Sequence, residues 1–412
     1  MKNLWTTFST APHRMYFFFG GVSFILSMSW WLLYITSISY APYLFGKSFP
    51  QYAIVPFQLH GILMVFGLFT FFILGFLTTT FPRWMNRPPI SKKIYAPSSI
   101  GLFGGYLLLL FGSTHLELWL FGGALFALGW IIGIAGLFDV LRQTSNRINH
   151  GWICLIGNLA GWLLFVFTLI AVMPSPWLPI NPNILLHAAI WWFLLPVFSA
   201  VCHRMLPFFT KAMVPEYPLY RPDWALYAIA LLASLHPVLS QVHLAFIDDL
   251  LMLGVTLHLS FKWKPSHFPK NPLLTSLHIS FLWLSIALGL FLIQDISYSL
   301  NAFGFSPSIW QGQAPLHAMT IGFFTSMFIA MVTRVTQGHS GGMLIMSKIT
   351  WGLFWGIQGV ALLRVSSEVP DINTLRTPLL IASALGWILF SLAWFLQYGP
   401  KYLKPRSDGN PG

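Results

Sequence analysis

Residues 315–342 read PLHAMTIGFFTSMFIAMVTRVTQGHSGG. Sixteen residues without a charged side chain separate His317 from Arg334, and His339 follows just beyond. With its flanks, the run meets the length of about 20 mostly apolar residues that a membrane-crossing helix needs. His317 and His339 are 22 residues apart, which is ~33 Å along a helix. They cannot ligate one ion, so the stretch reads as two half-sites joined by a membrane crossing.

The rest of the chain follows the same plan. Of its 412 residues, 56% are hydrophobic and 8% are charged, against about 25% charged in a soluble domain. Such a chain is a polytopic membrane protein. Backbone amides in lipid need internal partners, so spans are helices or closed barrels; apolar runs near twenty residues select helices. The expected fold is all-α, a single transmembrane domain over 1–412, with twelve spans near 16–40, 54–82, 95–112, 117–139, 150–173, 183–206, 224–242, 245–262, 272–294, 314–336, 346–366 and 376–397. The opening MKNLWTTFSTAPHR has no small-residue cleavage site after a short apolar region, so 16–40 reads as the first span rather than a signal peptide.

With the N-terminus placed in the cytoplasm, nineteen of the 22 Lys and Arg fall on inner segments, leaving Lys47, Arg364 and Arg376 outside. This is the positive-inside pattern of a bacterial inner-membrane protein with both termini cytoplasmic. The net charge of +12 is therefore a topology signal, the expected surroundings are lipid, and a nucleic-acid partner has no support. Cys154 and Cys202 stand outside any CxxC motif and read as small apolar fillers.

Three even-numbered spans begin alike: FQLHGILMVF, ILLHAAIWWF and APLHAMTIGF. Each places Leu-His before a small residue, at His60, His187 and His317, which are 127 and 130 residues apart. Each also ends at an arginine, Arg83, Arg204 or Arg334. A fixed period of four spans suggests three repeats, 16–139, 150–262 and 272–397, as four-helix arcs about a pseudo-threefold axis. The three histidines then share one level near the outer face.

Thirteen histidines accompany only ten Asp and Glu. Intramembrane ionisable residues are costly and face a cavity, a partner or a cofactor, and neutral imidazole ligates haem iron and copper. Topology puts His60, His115, His187, His236, His243 and His317 on the outer level. It puts His13, His150, His203, His258, His267, His278 and His339 on the inner one. His115, His150, His258 and His267, near loops or headgroups, read as hydrogen-bonded helix contacts. His236 and His243, seven residues apart, share a face ~10 Å apart if that end of span 7 is helical. No carboxylate falls at mid-membrane, so the chain does not look like a proton pump or proton-coupled carrier. Arg364 and Arg376 read either as salt-bridge partners of Glu368 or Asp371, or as cations for haem propionates.

PLHAMTIGFFTSMFIAMVTRVTQGHSGG resembles the signature of the NnrS family, bacterial membrane proteins of the nitric oxide response that carry haem and copper. The matching residues are His317, Ala318, Gly322, Met331, Arg334, Gly338, His339, Ser340 and Gly341. FQLHGILMVFG, through His60, resembles the family's second-span motif; Arg204, Pro207 and His278 match weaker features. Gln58, Gly61 and Gly342 stand where the family usually has a histidine, a glutamate and a basic residue. The four-helix period also resembles the catalytic subunit of haem–copper oxidases and nitric oxide reductases. That resemblance implies His60 and His317 as axial ligands of haem b, and His187 with His236 or His243 on the copper side. Met319 stands where the oxidases carry a second histidine, and the adjacent histidine pair of their helix 7 is missing. An alternative inner metal site comprises His203, His278 and His339. The implied function is that of an inner-membrane haem–copper protein in nitric oxide metabolism or nitrosative-stress defence, either a redox enzyme acting on nitric oxide with an electron donor or a non-enzymatic nitric oxide or metal sensor or handling protein; a cofactor-free transporter is the other class.

Overall fold

The computed structural model describes residues 4–44, 51–144, 149–173, 179–263, 271–305, 312–368 and 374–409, with side chains from 41 to 44 left aside. His267 and Asp371 lie outside them. A short helix, Leu4–Phe8, precedes twelve long ones. These are α1 (Pro12–Leu44), α2 (Pro56–Trp84), α3 (Lys92–Phe111), α4 (Leu116–Arg142), α5 (Asn149–Ala171) and α6 (Pro182–Met213). They continue with α7 (Asp223–Gln241), α8 (Ala245–Trp263), α9 (Pro272–Ala302), α10 (Ala314–His339), α11 (Lys348–Ser366) and α12 (Arg376–Leu403). No strand occurs among the described residues.

Each predicted span coincides with one helix. Ten, all except α8 and α11, are long and apolar enough to cross a membrane. The 19-residue α8 and α11 occupy predicted spans but fall short of that apolarity; α8 carries Asp248, Asp249 and Lys262. The starts follow local chemistry. Ser91, Asn181, Asn271 and Ser347 accept hydrogen bonds from first-turn amides of α3, α6, α9 and α11, which otherwise lack partners. Pro56, Pro182, Pro272 and Pro315 occupy first-turn positions, where a missing N–H costs nothing.

The chain divides into two compact units. The first comprises Met1–Val197, Thr336–Gly342 and Ser391–Gly412. Its closest packing is α3 on α4, where Gly101, Gly105, Gly122 and Gly129 let the backbones touch. Small residues at this spacing are how helices associate where lipid provides no hydrophobic drive. Tyr16 donates to Ser98 Oγ at 2.7 Å, and Ser98 donates to the Gly129 carbonyl at 2.6 Å, tying α1 to the pair.

The second unit comprises Phe198–Val335 and Met343–Phe390. Within it α9 packs on α8 and α10. Gln358 of α11 accepts from Trp283 Nε1 at 2.6 Å and donates to Ser326 Oγ at 2.8 Å, joining α9, α10 and α11. All three side chains are buried. Gln358→Leu is expected to leave the buried indole N–H without its acceptor and to remove one donor from the Ser326 hydroxyl, at about 1–3 kcal/mol; the check is a lower thermal midpoint in detergent. Cys154 and Cys202 are both buried, as expected of apolar fillers.

Candidate functional site

The three Leu-His helices share a local structure. Each has a proline in its first turn, reaches its histidine within seven residues, and then passes from α- to π-helical hydrogen bonding. The π segments are Leu63–Leu68 in α2, Ile190–Leu194 in α6 and Ala318–Thr325 in α10. A π turn widens the helix and breaks the i→i−4 ladder, and such turns occur often at functional sites. In α10 the register is visible in the side chains: Thr325 and Ser326 donate to the carbonyls of Thr320 and Ile321, five residues back.

His60, His187 and His317 are each half-buried. The His60 ring stacks on Trp31 of α1, with centroids 4.0 Å apart and planes inclined by 20°. His60 and His187 stand on adjoining helices of the first unit. A Cβ placed on Gly61 would lie 2.7 Å from Leu186 Cδ1, so the two Leu-His turns face one another. His317, in the second unit, has Nδ1 2.7 Å from the Gln313 carbonyl. That carbonyl accepts the Nδ1 proton, so the lone pair of the neutral ring is on Nε2.

His236 is buried on α7, with Nδ1 3.3 Å from Asp249 Oδ1 and 3.5 Å from Asp248 Oδ2. One ligating atom each from His236, Asp249 and Asp295 lie within 4.8 Å of one another. His243 does not share this cluster. Helix α7 ends at Gln241, and His243 follows in a left-handed turn (φ 59°) with its side chain exposed. The shared-face expectation required a helix that runs on through 243.

The inner-level candidates have partners of their own. His203 Nε2 lies 3.0 Å from the Pro222 carbonyl, holding the segment before α7. Thr210 Oγ1 donates to Leu206 O, which leaves His278 Nε2, 3.2 Å away, as donor to that hydroxyl. His339 lies against His13, ring centroids 4.6 Å apart. Arg364 and Arg376 both pair with Glu368, at 2.6 and 3.3 Å.

The family profile described as NnrS protein matches residues 7–406. The chain belongs to the NnrS family. No curated protein matches it. Among solved structures it is similar to a haem–copper terminal oxidase whose dimer was determined by cryo-electron microscopy. The likeness has a TM-score of 0.62 at 12% identity and covers 100% of this chain and 87% of that one. At that identity the likeness is one of fold, and it is the fold that the four-helix period resembles.

The end of the NnrS signature, Gly338–Gly341, is a structural junction of the first unit. Gly341 adopts φ +75°, and a Cβ there would lie 2.7 Å from Asp408 Cγ. Ser407 N and Oγ both donate to the Ser340 carbonyl at 3.0 Å. Buried Arg14 donates to the carbonyls of Tyr402 and Lys404 at 3.0 and 2.8 Å. The signature thus joins the start of α1 to the end of the described chain.

Sequence reasoning missed two groupings. His13 shares the predicted inner level of His339, and that level was a usable signal. Asp248, Asp249 and Asp295 gather around His236, a grouping of carboxylates with a histidine that the histidine pattern alone does not reveal.

Proposed function

We propose that this NnrS-family protein is a haem protein of the bacterial inner membrane acting in nitric oxide metabolism or nitrosative-stress defence. Both termini are cytoplasmic, and histidine-ligated haem b lies toward the outer face. The supporting observation is the recurrence, in α2, α6 and α10, of a proline-started turn, a Leu-His pair and a π segment. Three repeats, 16–139, 150–262 and 272–397, account for it. When bound, haem supplies an iron that takes nitric oxide at an open axial position, or passes electrons when two histidines ligate it.

The local chemistry of each candidate residue suits that group. His60 and His317 are the axial candidates. The Gln313 carbonyl fixes the ring and tautomer of His317 so that Nε2 is the ligating atom, the usual outer-shell arrangement for a metal-bound imidazole. Trp31 fixes the plane of His60 by stacking. Arg364 and Arg376, considered for propionates, share Glu368, which competes with that role.

Copper, implied by the same resemblance, is proposed on the His187 side. His243 is exposed and His236 faces carboxylates, a harder donor set than copper sites favour, so no step is derived through copper.

The test is the visible spectrum of the full chain purified in detergent after expression with ample haem. A Soret band is expected, and its absence would overturn the haem reading in favour of a transporter. Steady nitric oxide consumption with an electron donor would mark an enzyme rather than a sensor.

A further inference from the structure

Three helices of the second unit converge on one polar cluster. His236 comes from α7, Asp248 and Asp249 from the first turn of α8, and Asp295 from α9. His236, Asp248 and Asp249 are each at most 1% exposed, while Asp295 is half-buried. Both oxygens of Asp248 and of Asp249 are sealed from solvent, and none makes a well-formed hydrogen bond to a described residue. One His236 nitrogen faces both carboxylates. Even protonated, it has one proton for two anions, and Asp295 adds a third. Buried carboxylates are stable when paired, metal-bound or neutralised by protons.

The geometry points to a divalent cation. We infer that His236, Asp249 and Asp295, with Asp248 beside them, form a binding site for a divalent metal ion of the Mn²⁺ or Zn²⁺ class. Ligand atoms on one such ion are separated by roughly 3–4.4 Å for bonds near 2.1–2.2 Å. The three candidate atoms of this triad all lie within 4.8 Å of one another, so they surround a space of the size of one ion. One nitrogen with carboxylate oxygens suits a hard or borderline ion and disfavours Cu(I). The scaffold holds the ligands in place. Ser299 of α9 donates to the His243 carbonyl, pinning the α7–α8 turn to the helix that carries Asp295. Phe291 packs edge-on to His236 with centroids 6.0 Å apart. The half-buried Asp295 leaves the ion a way in. The site is independent of the haem reading.

The test uses the full-length protein in detergent, stripped with EDTA and titrated with MnCl₂. Bound ion is read from the loss of the free Mn²⁺ electron paramagnetic resonance signal, with Zn²⁺ as competitor. One Mn²⁺ per chain, displaced by Zn²⁺, is expected. Asp249→Asn and His236→Gln should each weaken binding by more than about 100-fold, whereas Asp249→Glu should retain it. Asp295→Asn, at the half-buried position, carries the comparison if a buried variant fails to elute as a monodisperse species. Wild-type protein that binds neither ion would overturn the inference and leave protons as the neutralising species. Unchanged binding in the Asn and Gln variants would overturn it too, by placing the ion elsewhere. Mn²⁺ binding without a Soret band would sink the haem reading and leave this site standing.

Discussion

His317→Ala is expected to lower haem content by about tenfold or more, or to convert the spin state of what remains, when purified chains are compared by pyridine haemochrome and visible spectra. The ring sits at the start of the longest π segment, Ala318–Thr325, with its Nδ1 proton given to Gln313. Removing it takes away the proposed ligating nitrogen and leaves the helix-start geometry, which the proline and the π register set. His60→Ala is expected to act in the same direction. His258→Gln is the control: its ring accepts or donates one hydrogen bond with the Tyr220 hydroxyl at 2.8 Å, so it should cost about 0.5–1.5 kcal/mol of stability and leave the spectrum unchanged. A cavity variant, His317→Gly, separates ligation from packing. Added imidazole should restore the wild-type band if His317 is an axial ligand. Unchanged spectra in both alanine variants would exclude this pair of ligands.

The helices were legible because lipid leaves a chain few options. Twelve apolar runs with basic residues between them have one economical reading, and each run is a helix. The Leu-His repeats were legible as a period, and Pro56, Pro182 and Pro315 stood in plain view ahead of them. The π segments were not legible. Leu63–Leu68 and Ala318–Thr325 are as apolar as the α-helical turns around them, and the change lies in which carbonyl each amide chooses. His243 shows the opposite failure. A seven-residue spacing from His236 promised a shared face, but the helix closes at Gln241: the amides of Val242 and Leu244 both turn back to Leu239 O. The carboxylates around His236 are near it in space but not in sequence, so they do not read as a group. A one-dimensional topology gives depth but not azimuth, and α7, α8 and α9 meet only in three dimensions.

The largest structural effect is expected at Gly129. An ideal Cβ there would lie 2.5 Å from Leu102 N and 2.8 Å from Ser98 O, and one on Gly105 would lie 2.4 Å from Phe126 N. These neighbours are backbone atoms of a facing helix, so no side chain can rotate away. Gly129→Val must push α3 from α4, and the separation also stretches the Ser98 hydrogen bond to the Gly129 carbonyl that anchors Tyr16 of α1. Overpacking costs about 1–3 kcal/mol where side chains can adjust; here the cost should reach or pass the top of that range, read as loss of monodisperse protein in detergent. Gly104→Ala meets only the flexible Leu125 Cδ2, at 3.3 Å, and should be tolerated. Gly352→Ala, in the second turn of α11 with nothing within 4 Å, should gain about 0.5–1 kcal/mol from helix propensity. The same one-carbon addition thus changes sign with its surroundings. Equal behaviour of Gly129→Ala and Gly352→Ala would show that α3 and α4 do not meet backbone to backbone.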